Sequence, residues 1–78
     1  MDFEGEILRR LLRRRAIGAR HYRIDTFLRM GWKPHEKERV HEALDSLIRQ
    51  GLVRWYHRHK ESIQLTEEGM REAKSRGE

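Results

Sequence analysis

Apolar residues recur with helical spacing in three successive segments of the chain. In residues 2–16 they fall at every third or fourth position, which predicts an amphipathic helix followed by Gly18. The same spacing predicts a shorter helix over residues 20–30 and a third helix over residues 34–50, with Gly31 between them. The apolar positions that carry these predictions are Phe3, Ile7, Leu8, Leu11, Leu12, Ile24, Phe27, Leu28, Val40, Leu44, Leu47 and Ile48.

Beyond Gly51 the spacing of apolar residues changes from helical to alternating. A strand is predicted from Leu52, and a second strand returns after a charged tip at about residues 58–62. We expect Trp55 to pack on the core, whereas the alternation alone leaves open whether Tyr56 is exposed. The inward positions of this antiparallel hairpin are Val53, Trp55, Ile63 and Leu65.

A short last helix is predicted over residues 67–76, directly after the hairpin. Thr66 precedes it and is a typical N-cap residue, because its hydroxyl can accept a hydrogen bond from an N–H of the first turn. Two glutamates follow, where the helix dipole favours negative charge. In the turn before the third helix, Trp32 is expected to be buried.

The length of 78 residues predicts one domain spanning residues 1–78. Charged residues make up 40% of the chain and hydrophobic residues 36%, but the apolar positions are strongly patterned, so a folded domain is expected. There is no cysteine to form a disulfide. No apolar run is long enough to cross a bilayer or to serve as a signal peptide, so we expect a cytoplasmic protein without membrane association.

The net charge of +5 favours an anionic partner. Arginine supplies most of the basic residues, asparagine is absent and glutamine occurs twice. This composition fits a thermophilic origin, although a GC-rich genome would produce the same arginine bias.

Two segments resemble a known class of proteins. RVHEALDSLIRQGLVRW (residues 39–55) and SIQLTEEG (residues 62–69) are similar to the core of small MarR-, ArsR- and PadR-like regulators, including archaeal proteins of this class. The resemblance implies an α+β winged helix-turn-helix fold with a three-helix core, a two-stranded antiparallel wing and a short C-terminal helix. It also implies a transcription regulator that binds double-stranded DNA. The chain departs from these families in its short wing and in its final helix, which is too short to be the long dimerisation helix that those regulators often carry.

In winged helix proteins the third helix enters the major groove, and the wing over residues 52–65 would contact the backbone or the minor groove. We therefore expect basic residues near the start of the third helix to approach the bases, and those of the wing to contact phosphates. The third-helix candidates are His35, Lys37, Arg39 and His41, and the wing candidates are Arg54, Arg58, His59 and Lys60.

The third helix carries more acidic than basic residues, which does not favour contact with DNA. Residues 34–50 contain three basic and four acidic residues, and helical spacing places Glu38, Glu42, Asp45 and Arg49 on the outward face. This stripe could be an ordinary solvated face, with Asp45 and Arg49 paired across one turn. Alternatively, the protein is an interaction module whose acidic third-helix face binds a basic protein.

The basic residues concentrate instead near the first helix. They form a second candidate surface, for RNA or a ribonucleoprotein, or else a solvated face stabilised by Glu6–Arg10 pairing. The residues of this surface are Arg9, Arg10, Arg13, Arg14, Arg20 and Arg23.

No cofactor, metal or enzymatic activity is predicted. The five histidines lack the spacing of known metal sites, and the serines have no recognisable His/Asp constellation. Asp25 and His21 have helical spacing typical of a surface contact.

The apolar arc of the first helix is wider than one packing contact needs. We therefore expect a homodimer through the first and last helices. The alternative is that the first helix is deeply buried within its own domain.

Overall fold

The computed structural model describes residues 2–29, 31–56 and 59–77, and their side chains except those of residues 59, 60 and 77. These residues form four α-helices and a three-stranded antiparallel sheet, which confirms the predicted α+β class. In chain order the elements are α1 (Phe3–Arg13), β1 (Tyr22–Arg23), α2 (Ile24–Arg29), a 3-10 helix (Pro34–Glu36), α3 (Lys37–Arg49), β2 (Val53–Tyr56), β3 (His59–Leu65) and α4 (Glu67–Gly77).

The sheet has the strand order β1-β3-β2, with β3 in the centre. Tyr22 of β1 lies opposite Ile63, and Val53 of β2 lies opposite Leu65. The prediction of a helix over residues 20–30 is therefore wrong at its start. Residues 22–23 are extended because they pair with β3, a contact between distant segments that local spacing does not encode.

The returning strand β3 is longer than predicted. β3 begins at His59, so residues 59–62, which were assigned to a charged tip, belong to the strand. The register shifts between Trp55 and Tyr56, which marks a β-bulge or similar irregularity in the pairing with β3. The two residues between the strands, His57 and Arg58, lie outside the described residues.

The core lies between the sheet and the helices. The side chains of Ile7, Leu8 and Leu11 in α1 are fully buried, since α1 packs against α3, α4 and β3. The wide apolar arc of α1 is thus covered largely within the chain, as in the alternative of deep burial. The homodimer stays a prediction. The other buried apolar residues are Ala16, Phe27, Trp32, Val40, Leu44, Leu47, Leu52, Val53, Ile63, Leu65 and Ala73.

Trp32 is buried in the turn before α3, as predicted. Its indole N–H donates to the Phe27 carbonyl at 3.1 Å, and the Arg10 guanidinium lies 3.8 Å above its ring centre. Arg10 also forms the predicted ion pair with Glu6, at 2.9 Å between Nε and Oε2. The cation–π contact between Arg10 and Trp32 therefore holds the turn before α3 against α1.

The prediction that Trp55 packs on the core is wrong. Its side chain is 40% exposed, although its partner across the ladder, Ile63, is fully buried. Trp55 lies near the hairpin end of the edge strand β2, whereas Val53 at the start of the same strand is buried. Tyr56 is half-buried and stacks on His21, with ring centres 4.1 Å apart.

The predicted N-cap of α4 is present. The Thr66 hydroxyl accepts from the Gly69 N–H at 2.9 Å and donates to the Gly51 carbonyl at 2.6 Å. The Thr66 N–H donates to the Leu52 carbonyl at 3.1 Å. These bonds hold the start of α4 against the junction of α3 and β2.

Two polar side chains of β3, Ser62 and Gln64, are buried, which the sequence did not predict. The Gln64 amide donates to the carbonyls of Gly18 and Arg20, at 2.7 and 2.9 Å. It therefore ties the loop after α1 to the central strand. Among the described residues, every buried side-chain nitrogen and oxygen has a hydrogen-bond partner.

Candidate nucleic-acid interface

α2 and α3 are joined by a short connection that contains a 3-10 helix. Residues 30–33 connect α2 to the 3-10 helix that precedes α3. Pro34 occupies the start of that 3-10 helix, and the Glu36 carboxylate accepts from the Lys33 N–H at 2.9 Å. At the other end of α3, Gly51 takes a positive φ of 77° and turns the chain into β2.

All four predicted third-helix residues are exposed, but they do not form one surface. Lys37 and His41 are one helical turn apart and line a shallow groove together with Asp25 and Arg29 of α2. Arg39 lies on another side of α3, in a groove with Glu42 near the start of α1. His35 belongs to the 3-10 helix.

The outward centre of α3 is acidic. Glu38, Glu42 and Asp45 are exposed, and within the described part of the chain none of them has an ion pair. The predicted pair between Asp45 and Arg49 is wrong, since these side chains make no salt bridge at 4.0 Å or less. Three carboxylates without an ion pair among the described residues therefore lie on the exposed face of α3.

The predicted wing residues lie on the β2–β3 hairpin. Arg54 is exposed on β2 and lies opposite Gln64 of β3. His59 and Lys60 belong to β3, and Arg58 lies outside the described residues.

Exposed Trp55, next to Arg54, is a candidate functional residue that the sequence analysis assigned to the core. Its exposure depends on which segments cover the hairpin end of β2, and local spacing could not show this. An exposed tryptophan can stack on a base or a sugar.

Three of the six arginines of the predicted basic surface form ion pairs within the chain. Arg9 is 2.8 Å from the Glu6 carboxylate, and Arg10 shares that carboxylate. Arg23 lies 3.4 Å from the carboxylates of both Asp25 and Glu61, so the predicted contact of Asp25 is with Arg23 rather than with His21. In residues 2–29, 31–56 and 59–77, three exposed arginines of this surface have no ion pair: Arg13, Arg14 and Arg20.

A groove between α1, β1 and α2 joins arginines to aromatic rings. Its volume is about 480 Å³. Sequence spacing alone could not reveal it, because β1 brings Tyr22 to α1 only through pairing with β3. We call it the arginine groove, and its lining residues are Glu6, Arg10, Arg13, Arg14, Tyr22, Phe27 and Gly31.

Comparison with known proteins found no matching family model, no matching curated protein and no matching solved structure. Of the helices described, none is long and apolar enough to cross a membrane. Nor do three or more histidine, aspartate or glutamate side chains come together as metal ligands among the described residues.

Proposed function

We propose that the protein is a winged helix-turn-helix domain that binds double-stranded DNA and acts as a transcription regulator. The observation that carries this proposal is the succession of α2, turn, α3 and the β2–β3 hairpin on one three-stranded sheet. In helix-turn-helix proteins the second helix of the unit reaches the major groove. The net charge of +5 supports a polyanionic partner.

The acidic centre of α3 determines how such binding would occur. α3 would approach DNA along its flank, where Lys37 and His41 lie beside Arg29, with Arg54 contributing from the wing. Glu38 and the other carboxylates would repel phosphates, although a carboxylate can accept from the amino group of cytosine. Phosphate contacts would then supply most of the affinity. Four such contacts give a slope of about −3.6 in a plot of log affinity against log salt concentration.

The proposal is tested by titrating the isotope-labelled protein with duplex DNA and, separately, with an RNA hairpin at low salt. Duplex DNA should shift the backbone amides of residues 35–42 and 57–61, and added salt should reverse these shifts. Lys37→Gln should weaken binding several-fold. Lys74→Gln is the matched control, because it removes one exposed charge from α4. If residues 35–42 and 57–61 stay unmoved by duplex DNA at low salt, the proposal is wrong.

One alternative is supported by a specific observation. The uncompensated carboxylates of α3 favour a basic protein partner over any nucleic acid at this face. Replacing Glu38, Glu42 and Asp45 by their amides separates the two functions. The change should strengthen DNA binding if α3 faces DNA, and should abolish binding of a basic partner if α3 faces protein.

Binding of RNA through the six predicted arginines is less well supported, because Arg9, Arg10 and Arg23 already bind carboxylates within the chain. In the same titration, RNA binding at this surface would shift residues 9–23. Charge reversal at Arg9, Arg10 and Arg13 should then abolish RNA binding and leave DNA binding nearly unchanged.

A further inference from the structure

We propose that the arginine groove binds a nucleotide, with the phosphate on Arg13 and Arg14 and the planar base against Tyr22. The groove has a volume of about 480 Å³, which is within the usual range of small-molecule sites. This site uses other residues than those proposed to contact DNA, and it does not depend on DNA binding.

The cationic side of the groove is available for an anion. Arg13 and Arg14 are exposed on the end of α1, and neither has a carboxylate partner in the part of the chain that the structure describes. The acidic residue of the lining, Glu6, is already bound by Arg9 and Arg10. The guanidinium groups of Arg13 and Arg14, which both line the groove, present planar sets of donors that match phosphate oxygens.

The aromatic side of the groove favours a ligand with a flat ring. The Arg14 guanidinium lies 5.4 Å from the Tyr22 ring centre, whereas Arg10 is stacked directly on Trp32 at 3.8 Å. A base placed between Arg14 and Tyr22 needs two van der Waals layers, or about 7 Å. An outward movement of about 1.5 Å by the exposed Arg14 side chain supplies this space.

Tyr22 is held in place to receive such a ring. Phe27 meets it edge to face, with ring centres 5.8 Å apart and an interplanar angle of 81°. The backbone of Tyr22 is fixed by pairing with Ile63 in the central strand. The stacking surface is therefore largely preorganised, which reduces the entropic cost of binding.

The test is a titration of the labelled full chain with adenosine monophosphate, adenosine and inorganic phosphate, without nucleic acid. Adenosine monophosphate should shift the amides of residues 10–14, 22 and 27, and should bind at least about tenfold more tightly than adenosine or phosphate alone. Arg13→Gln and Arg14→Gln should each weaken its binding at least about fivefold. Arg71→Gln, which removes an exposed charge from α4, should leave the affinity unchanged.

Three results would overturn the proposal. The first is that adenosine monophosphate shifts no residue of the groove. The second is equal affinity for the wild-type protein and a double variant carrying Arg13→Gln and Arg14→Gln. The third is that phosphate alone binds as tightly as the nucleotide, which would remove the role of Tyr22. Because DNA is absent from the experiment, none of these results bears on the proposed DNA binding.

Discussion

Replacement of Gly69 by alanine tests how α4 is joined to the rest of the fold. A helical glycine replaced by alanine ordinarily stabilises a protein, by up to about 1 kcal/mol. At Gly69 we expect the opposite sign. A Cβ atom at this position would collide with the Leu52 carbonyl oxygen and would lie 2.8 Å from the carbonyl carbon. Both are backbone atoms, so they cannot rotate away as the end of a side chain would.

The size of the effect follows from the contacts around Leu52. Overpacking of a tight contact costs about 1–3 kcal/mol. Any shift of Leu52 also weakens its hydrogen bond from the Thr66 N–H, at a cost of about 1 kcal/mol. After subtraction of the gain in helix propensity, the net destabilisation is about 1–3 kcal/mol. For a domain of this size that lowers Tm by about 5–20 °C.

The assay is thermal and urea denaturation of Gly69→Ala followed by far-ultraviolet circular dichroism. Gly5→Ala in α1 is the matched control, because the three atoms nearest to a Cβ there all belong to the side chain of Asp2, which can rotate. Its loss of the Asp2 cap, a bond of 3.1 Å to the Gly5 N–H, should be roughly balanced by the gain in helix propensity. A Tm for Gly69→Ala equal to or above that of the wild type would refute the reasoning.

Two further predictions concern β3 and α3. Gln64→Ala should reduce the free energy of unfolding by about 1–3 kcal/mol, because the carbonyls of Gly18 and Arg20 lose their donor. Urea denaturation measures this, and a change below about 0.5 kcal/mol would mean that water replaces the amide without loss. The double variant Glu38→Gln and Glu42→Gln should raise the affinity for duplex DNA several-fold at low salt, with a smaller gain at high salt. Fluorescence anisotropy across a salt series measures it, and unchanged affinity would show that these carboxylates do not face DNA.

The helices were predictable because their stability comes from local spacing and from caps within one turn. α1, α3 and α4 lie where apolar residues recur at three and four positions, and Thr66 caps α4 as its position suggested. The predicted third helix, residues 34–50, begins as a 3-10 helix and continues as α3. The spacing of apolar residues does not distinguish these two helix types at a helix end.

The remaining features depend on contacts between segments far apart in the chain. The two-residue strand β1 exists only through pairing with β3, and that pairing also brings Tyr22 to the arginines of α1. Gln64 is buried because the loop after α1 covers it. Trp55 is exposed although Val53, on the same face of the same strand, is buried. Alternation along one strand identifies its two faces but does not show which neighbours cover them.

The two tryptophans differ in solvent exposure, so their fluorescence can report separately on two events in the protein. Trp32 is 7% exposed beneath a guanidinium, whereas Trp55 is 40% exposed on the hairpin. Trp32 should emit at shorter wavelength and be shielded from aqueous quenchers such as iodide, while Trp55 should be readily quenched. A binding event at the hairpin would then change the quenchable part of the emission, and loss of the core would change the shielded part. Unlabelled protein can therefore report on both events in one cuvette.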